Sequence, residues 1–278
     1  MRNLVLHLAF DGARYHGWQV QGNAPTVQRA FQDAVEKVFG SRLPVTGCSR
    51  TDAGVHATDY VCAVKAESAI PCENILRALN ANLPSDIAVL SCAEAPEDFH
   101  PRYTAHGKEY LYQIWNAPVR SPFLRGRAYF YPRPLDISAL SAAAACLTGR
   151  HDFASFCAAG SDTGARLPED GREPESATVR TIFTADVTRE GEMVRLLVSG
   201  DGFLYHMVRI IAGTLLLAAR TPGYDVRTVL ASRRRELAGP TAPACGLYLS
   251  RVFYPGMREQ GMEANSRASD RGKGCPDL

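Results

Sequence analysis

Residues 43–66 read LPVTGCSRTDAGVHATDYVCAVKA, and this stretch predicts two consecutive β-strands. Strand-like residues run over 43–49 and again over 60–66, and a short polar turn separates them. No helix separates these two strands, so they form the middle pair of a longer series of strands and helices.

The segments on either side of this strand pair each add one strand and one helix. The predicted elements are a strand at 4–10, a helix at 26–39 ended by Gly40, a helix at 73–80 opened by Pro71, and a strand at 87–92. The resulting order, β-α-β-β-α-β, is that of the ferredoxin-like split unit, in which two helices cover one face of an antiparallel sheet.

The second half of the chain repeats this order with additions, although no repeat is visible in the letters. The predicted strands are 109–115, 128–131, 181–188, 193–199 and 247–253, and the predicted helices are 137–147, 203–219 and 225–237. We therefore predict an α/β (α+β) fold. Two ferredoxin-like halves, 1–104 and 105–255, share a continuous, mostly antiparallel sheet with a central cleft. The polar segment 158–177 is expected to be a flexible insert, and 256–278 a disordered tail.

Composition favours an ordinary globular protein of the cytoplasm. Apolar residues make up 46% and charged residues 22%, and no apolar run approaches the roughly 20 residues of a membrane span. The first ten residues do not resemble a signal peptide, and the eight cysteines follow no disulfide framework, so reduced thiols are expected. Of the 31 basic residues 27 are arginine, which suits phosphate recognition but equally fits an arginine-rich genome.

The sequence lacks the common motifs of several enzyme classes. It contains no phosphate-binding G-x-x-x-x-G-K-[ST], no dinucleotide-binding G-x-G-x-x-G after a strand, no G-x-S-x-G and no H-E-x-x-H. The zinc-deaminase signature is also absent, and the seven histidines show no metal-ligand spacing. We therefore expect no metal and no nucleotide or other cofactor.

The polar turn at 47–57 carries the strongest chemical candidate. Arg50 and Asp52 are two residues apart at the exit of a predicted strand, where successive side chains point to opposite sides. We therefore expect both on the same side, with the guanidinium orienting the carboxylate. A fixed, ionised carboxylate suits a nucleophile or a general base. The alternative is a purely structural hairpin, in which Asp52 bonds its own backbone and Gly54 supplies a positive φ.

The string S-R-T-D-A-G-V-H-A at 49–57 closely resembles the catalytic motif of the tRNA pseudouridine synthase A family, G-R-T-D-A/S-G-V-H-A. Further similar blocks follow in order over nearly the whole chain: F-D-G-x-x-Y-H-G-W-Q at 10–19, N-A-N-L-P at 80–84, D-F-H-P-R at 98–102, K-E-Y-x-Y at 108–112, H-M-V-R at 206–209, T-A-P at 241–243 and G-L-Y-L at 246–249. The family's fold, two ferredoxin-like halves around an active cleft, agrees with the predicted element order.

The resemblance implies a role for each matching residue. Asp52 is the expected nucleophile, Arg50 and Arg209 pair with it or with RNA phosphate, Tyr110 stacks on the base and is a candidate acceptor of the C5 proton, and Leu247 contacts the base. It also implies isomerisation of uridines 38, 39 and 40 in the tRNA anticodon stem-loop by a homodimer. Two residues depart from the family pattern, because Ser49 replaces a glycine and Ile210 stands where an asparagine is common.

Some interpretations stay open at this level. Tyr15, His16 and Trp18 could pack the loop or meet a flipped base. A noncatalytic RNA-binding module and a glycoside-type hydrolase using Asp52 with Asp59 are the rival functions. An intact set of Asp52, Arg50 and Tyr110 argues against a pure binder, and release of uracil from RNA would identify a hydrolase.

Overall fold

The computed structural model describes residues 1–158 and 177–255 of the chain. The predicted tail at 256–278 lies outside these residues, and so does the predicted insert at 158–177 except for its two end residues. The division at residues 104 and 105 stays a prediction.

The N-terminal strands and helices appear in the predicted order. They are β1 (Arg2–Phe10), α1 (Val27–Phe39), β2 (Val45–Gly47), β3 (His56–Ala66), α2 (Cys72–Asn82) and β4 (Ile87–Ala95). Strand β1 lies between β4 and β3, and β2 pairs with β3, all antiparallel. The spatial order is therefore fourth, first, third, second, as in a ferredoxin-like unit.

The following elements repeat that arrangement. They are β5 (Gly107–Trp115), β6 (Tyr129–Phe130), α3 (Ile137–Ala145), β7 (Gly149–Asp152), β8 (Val179–Glu190), β9 (Met193–Gly200), α4 (Met207–Ala218), α5 (Val226–Ser232) and β10 (Leu247–Phe253). Strands β10, β5, β9 and β8 are neighbours in that order, while β7 extends the edge beside β8 and β6 pairs with β5. The predicted fold class, a mixed α and β fold on one mostly antiparallel sheet, is confirmed.

The two sets of strands join at β3 and β10, which run parallel with His56 opposite Tyr248. The rings of these two residues stack with their centroids 4.5 Å apart. Strand β2 pairs only with the far end of β3, from Cys62 to Val64, so the near end of β3 is free to take β10. The turn that leads from β2 into β3 therefore opens directly at the seam between the two sets of strands.

Local sequence explains the best-predicted helices. The Thr26 hydroxyl caps α1 by accepting a hydrogen bond from the Arg29 amide, and the helix ends at Gly40 in the left-handed conformation. Nine of the twelve residues of α4 are buried, as its mostly apolar sequence predicts. Among the helices of the described residues, none has both the length and the apolarity needed to cross a bilayer.

Several predicted boundaries are wrong, each because tertiary packing overrides a local pattern. The helix predicted at 203–219 begins only at Met207, since His206 before it adopts the left-handed conformation with φ 60°. The helix predicted at 225–237 breaks after Ser232, where Arg233 is also left-handed, and a short 3-10 turn follows. Strand β3 begins four residues before the predicted start at Tyr60, because pairing with β10 orders its first residues.

Candidate active site

The turn between β2 and β3 carries Asp52 and is irregular backbone. Its main-chain bond runs from the Val55 amide to the Asp52 carbonyl, at 3.2 Å. Gly54 has a φ of 78°, the positive value that the hairpin interpretation predicts. The Asp52 side chain does not bond this turn, so the Asx-turn alternative is not what the structure shows.

Segment 12–18, part of the early F-D-G-x-x-Y-H-G-W-Q block, holds the turn in place. The Trp18 amide donates to the Thr51 carbonyl at 3.2 Å, and the Gly54 amide donates to the Tyr15 carbonyl at 3.1 Å. Gly17, at φ 84°, lies so close that a Cβ there would meet the Thr51 carbonyl oxygen at 2.2 Å. The block is therefore the support of the turn.

The structure also shows where the rings of Tyr15, His16 and Trp18 in this block lie. Trp18 is buried and stacks on Tyr60 with ring centroids 4.1 Å apart. Tyr15 is buried too, and its hydroxyl donates to Asp86 Oδ1 at 2.7 Å. His16 is exposed. Since none of the three lines the cleft beside Asp52, they pack or flank the loop.

One oxygen of the Asp52 carboxylate is held and the other is free. Oδ2 lies 3.0 Å from Nη1 of Arg209 and 3.3 Å from Nε2 of His206. Within the described residues no hydrogen bond reaches Oδ1. The side chain keeps 24% of its exposure. A carboxylate fixed through one oxygen can present the other to a substrate.

Arg209 is fixed at both its side chain and its backbone. It lies in the first turn of α4, and its Nε donates to the Ala242 carbonyl at 2.8 Å. The Ala242 amide donates in return to the Arg209 carbonyl at 3.1 Å. The T-A-P block at 241–243 therefore aims the Arg209 guanidinium at Asp52, which it reaches from 157 residues away in the sequence.

His206 is the first residue of the H-M-V-R block, in which the family resemblance implied a role only for Arg209. Its left-handed backbone places the imidazole against Asp52, and the ring of Tyr205 stacks on it at 3.8 Å between centroids. Burial lowers the pKa of His206; the Asp52 charge opposes this change, whereas Arg209 and Arg235 add to it. A non-glycine residue held in the left-handed region beside an ion-paired carboxylate is typical of a functional site.

Tyr110, Phe203 and Leu247 form an aromatic and aliphatic wall of the cleft. Tyr110 and Leu247 are both buried. The rings of Tyr110 and Phe203 make an edge-to-face contact, with their centroids 5.0 Å apart. Burial raises the pKa of the Tyr110 hydroxyl, and the nearby Ser49 side chain works in the opposite direction. The serine that departs from the family pattern therefore faces the tyrosine hydroxyl.

The structure contradicts the expectation that Arg50 orients Asp52. Arg50 lines the same cleft, but it is exposed and its guanidinium makes no hydrogen bond or ion pair within the described residues. The expectation assumed strand alternation, which does not apply because β2 already ends at Gly47. Arg209 and His206 make the contacts that were expected of Arg50.

The cleft is an open cavity of about 330 Å³ with an excess of positive charge. Among its lining residues in the described part of the chain, Asp52 is the one carboxylate, against the cations of Arg50, Arg102 and Lys108. Asp59 does not line the cleft. Its carboxylate contacts His7 instead, at 2.6 Å. The hydrolase alternative therefore lacks its second carboxylate here. No three metal-ligating side chains converge within the described residues.

Comparison with known proteins gives the class and the family. The family model described as tRNA pseudouridine synthase matches residues 8–104 and 143–255. A tRNA pseudouridine synthase A of Ruminiclostridium cellulolyticum is 41% identical over 257 residues, covering 91% of this chain and all of that protein. Those of Geobacillus kaustophilus and Moorella thermoacetica are 42% and 44% identical, covering 89% and 90% of this chain and 92% and 99% of their own length.

These matches define the protein as an RNA-modifying isomerase. The chain belongs to the tRNA pseudouridine synthase family, so its substrate is tRNA. The predicted family and enzyme class are confirmed.

Proposed function

We propose that this enzyme isomerises uridines 38, 39 and 40 of the tRNA anticodon stem-loop, with Asp52 as the nucleophile. The observation that carries the proposal is the Asp52 carboxylate, held through Oδ2 and free at Oδ1, in a basic cleft with an aromatic wall. The positions within tRNA come from the resemblance to the tRNA pseudouridine synthase A family.

The reaction explains why a single free carboxylate is required, one that forms a covalent bond to the nucleotide and is released again when the C5–C1′ bond is complete. The N1–C1′ bond of uridine breaks, a C5–C1′ bond forms, C5 loses a proton and N1 gains one, so that atoms and charge balance within the nucleotide. Asp52 Oδ1 forms a covalent bond to one fragment, at C1′ or at C6, and so keeps it in place while the uracil turns. No oxidant, metal or cofactor is needed for this balance.

Tyr110 and Leu247 are the proposed contacts of the base. Both lie buried along the cleft, so a uracil between them leaves water and stacks on the tyrosine ring. The raised pKa of Tyr110 keeps its hydroxyl protonated near neutral pH. To take the C5 proton, this hydroxyl must therefore pass its own proton on, and the Ser49 side chain is a polar neighbour in the same cleft.

The two arginines divide their roles in this proposal. Arg209 neutralises and orients Asp52, because both its side chain and its backbone are fixed on Ala242. Arg50 binds RNA phosphate at the cleft, since its exposed guanidinium has no protein partner within the described residues. We further propose that the enzyme acts in the cytoplasm as a homodimer with tRNA contacting both subunits, as family resemblance implies; sedimentation of the purified protein tests the dimer.

A stem-loop substrate labelled with tritium at C5 of uridine tests the proposed function. Isomerisation at positions 38–40 releases tritium to water and leaves no free uracil. A matched stem-loop with cytidine at those three positions and labelled uridines elsewhere is the control, and it should release none. Equal release from both stem-loops would reject the positions, and release of free uracil would identify the hydrolase.

A further inference from the structure

Lys108 lines the cleft, and its ammonium has no partner in the part of the chain that the structure describes. It is the second residue of β5, only half-exposed, on the same face of the strand as Tyr110 two residues later. Within the described residues its ammonium makes no hydrogen bond and no ion pair. Its cleft neighbour Arg102 is a second cation, with its guanidinium over the ring of Tyr103 at 5.7 Å from the centroid.

A half-buried ammonium without a partner among the described residues is energetically unfavourable. Burial lowers the pKa of Lys108 and the charge of Arg102 also lowers it, while Cys48 opposes them only if its thiol is an anion. The nearby Cys48 does not supply one, because burial raises the pKa of its thiol to about 11. A cation that no protein group neutralises is matched to an anionic ligand.

We propose that Lys108 binds a backbone phosphate next to the target uridine when that nucleotide enters the cleft. This inference rests on the proposed function. Phosphate is the anion that every nucleotide of the substrate carries, and Lys108 lines the same cleft as Tyr110 of the base wall and the exposed Arg102. The other anion of the reaction is the detached uracil, which exists only after the N1–C1′ bond has broken, and the test separates the two.

The experiment combines substitutions at Lys108 with removal of single phosphate charges from the RNA. Anticodon stem-loops carry a neutral methylphosphonate on the 5′ or the 3′ side of the target uridine. Binding and single-turnover rate are measured for the wild type, Lys108→Met, Lys108→Arg and the control Lys65→Met, an exposed lysine of β3 outside the cleft.

The expected result is that the losses of affinity from the Lys108 substitution and from one methylphosphonate do not add. Lys108→Met binds the unmodified stem-loop about tenfold more weakly, with the slope of log K against log salt reduced by about one. One methylphosphonate weakens the wild type and Lys65→Met by a similar factor but weakens Lys108→Met no further. Lys108→Arg keeps the charge and most of the binding.

A stability measurement separates a ligand-binding role from a structural one. Because Lys108 has no partner in the described residues, Lys108→Met should unfold at the same temperature as the wild type or at a higher one. Marked destabilisation would mean that the ammonium supports the fold, and would overturn the proposal.

Two other outcomes also overturn it. Equal losses for the wild type and Lys108→Met on every methylphosphonate would show that Lys108 binds none of these phosphates. Unchanged binding with a slower single-turnover rate on all substrates would place Lys108 on the uracil anion instead. Failure of the proposed function looks different, because the wild type itself would then convert no uridine of the stem-loop.

Discussion

Nη1 of Arg209 lies 3.0 Å from Oδ2 of Asp52, and no comparable contact reaches Oδ1 within the described residues. The carboxylate is therefore asymmetric, with one oxygen fixed by the protein and one facing the cleft. This asymmetry is the physical basis of the proposed nucleophilic attack.

Asp52→Asn keeps the shape of the side chain and removes its charge. We expect pseudouridine formation to fall by more than about a thousandfold, as for loss of a nucleophile, while the stem-loop still binds. Tritium release from C5 measures the rate, and filter binding measures the affinity. Turnover near that of the wild type would reject Asp52 as the nucleophile.

Arg209→Lys tests whether geometry as well as charge matters at Asp52. Lysine retains the charge but cannot bind both the Ala242 carbonyl and the carboxylate through a planar fork, so we expect the single-turnover rate to fall by about a hundredfold. Binding should change little. A variant with an unchanged rate at saturating tRNA would show that Asp52 needs no such orientation.

Arg50→Ala should give the opposite pattern, because Arg50 does not contact Asp52. Affinity for the stem-loop should fall several-fold and its salt dependence should weaken by about one unit of slope. The rate at saturating tRNA should be retained. A large loss of that rate would restore Arg50 to the orienting role that the structure gives to Arg209.

Tyr110→Phe keeps the stacking ring and removes the hydroxyl. If this hydroxyl takes the C5 proton, the rate should fall by about 100-fold or more with binding retained. Tyr112→Phe is the matched control, since Tyr112 is buried on the same strand and its hydroxyl donates only to the Pro243 carbonyl, at 2.8 Å. It should lose about 1 kcal/mol of stability and keep its rate. Equal rates for both variants would leave Tyr110 as a stacking surface.

His206 should make stability depend on pH in a definite direction. Burial lowers its pKa from the ordinary 6.5, although Asp52 opposes the change, so the unfolded chain takes up this proton first as the pH falls. The free energy of unfolding should therefore decrease as the pH falls from about 6.5 towards the lower pKa of the folded state. His206→Asn tolerates the left-handed backbone and should show a smaller decrease.

Part of this decrease should persist in His206→Asn, because burial also lowers the pKa of His56. Parallel stability curves for the wild type and His206→Asn between about pH 7.5 and 5.5 would contradict a lowered pKa of His206 in the folded protein. The comparison needs only denaturant unfolding at each pH.

The element order could be predicted from the sequence because strand and helix periodicities are local properties. The ends of α1 follow from Thr26 and Gly40 for the same reason. The start of α4 could not be predicted, because the apolar run continues through Phe203 and Leu204 and only the packing around His206 turns the backbone away.

The membership of the site was predictable from resemblance, but its contacts were not. Asp52, Tyr110 and Leu247 line one cleft and Arg209 contacts Asp52 there, while their roles stay predictions. The partner of Asp52 was assigned to Arg50, two residues away, whereas the contact comes from Arg209 across the seam of the fold. That Lys108 has no partner among residues 1–158 and 177–255 likewise becomes visible only in the structure, because it depends on side chains from distant parts of the chain.

The most direct test of the account is to map pseudouridine in tRNA from cells lacking this protein, complemented with the wild-type gene or with Asp52→Asn. We predict that pseudouridine at positions 38, 39 and 40 disappears on deletion, returns with the wild type and does not return with Asp52→Asn expressed at the same level. Unchanged modification at these positions after deletion, or its restoration by Asp52→Asn, would contradict the central claim.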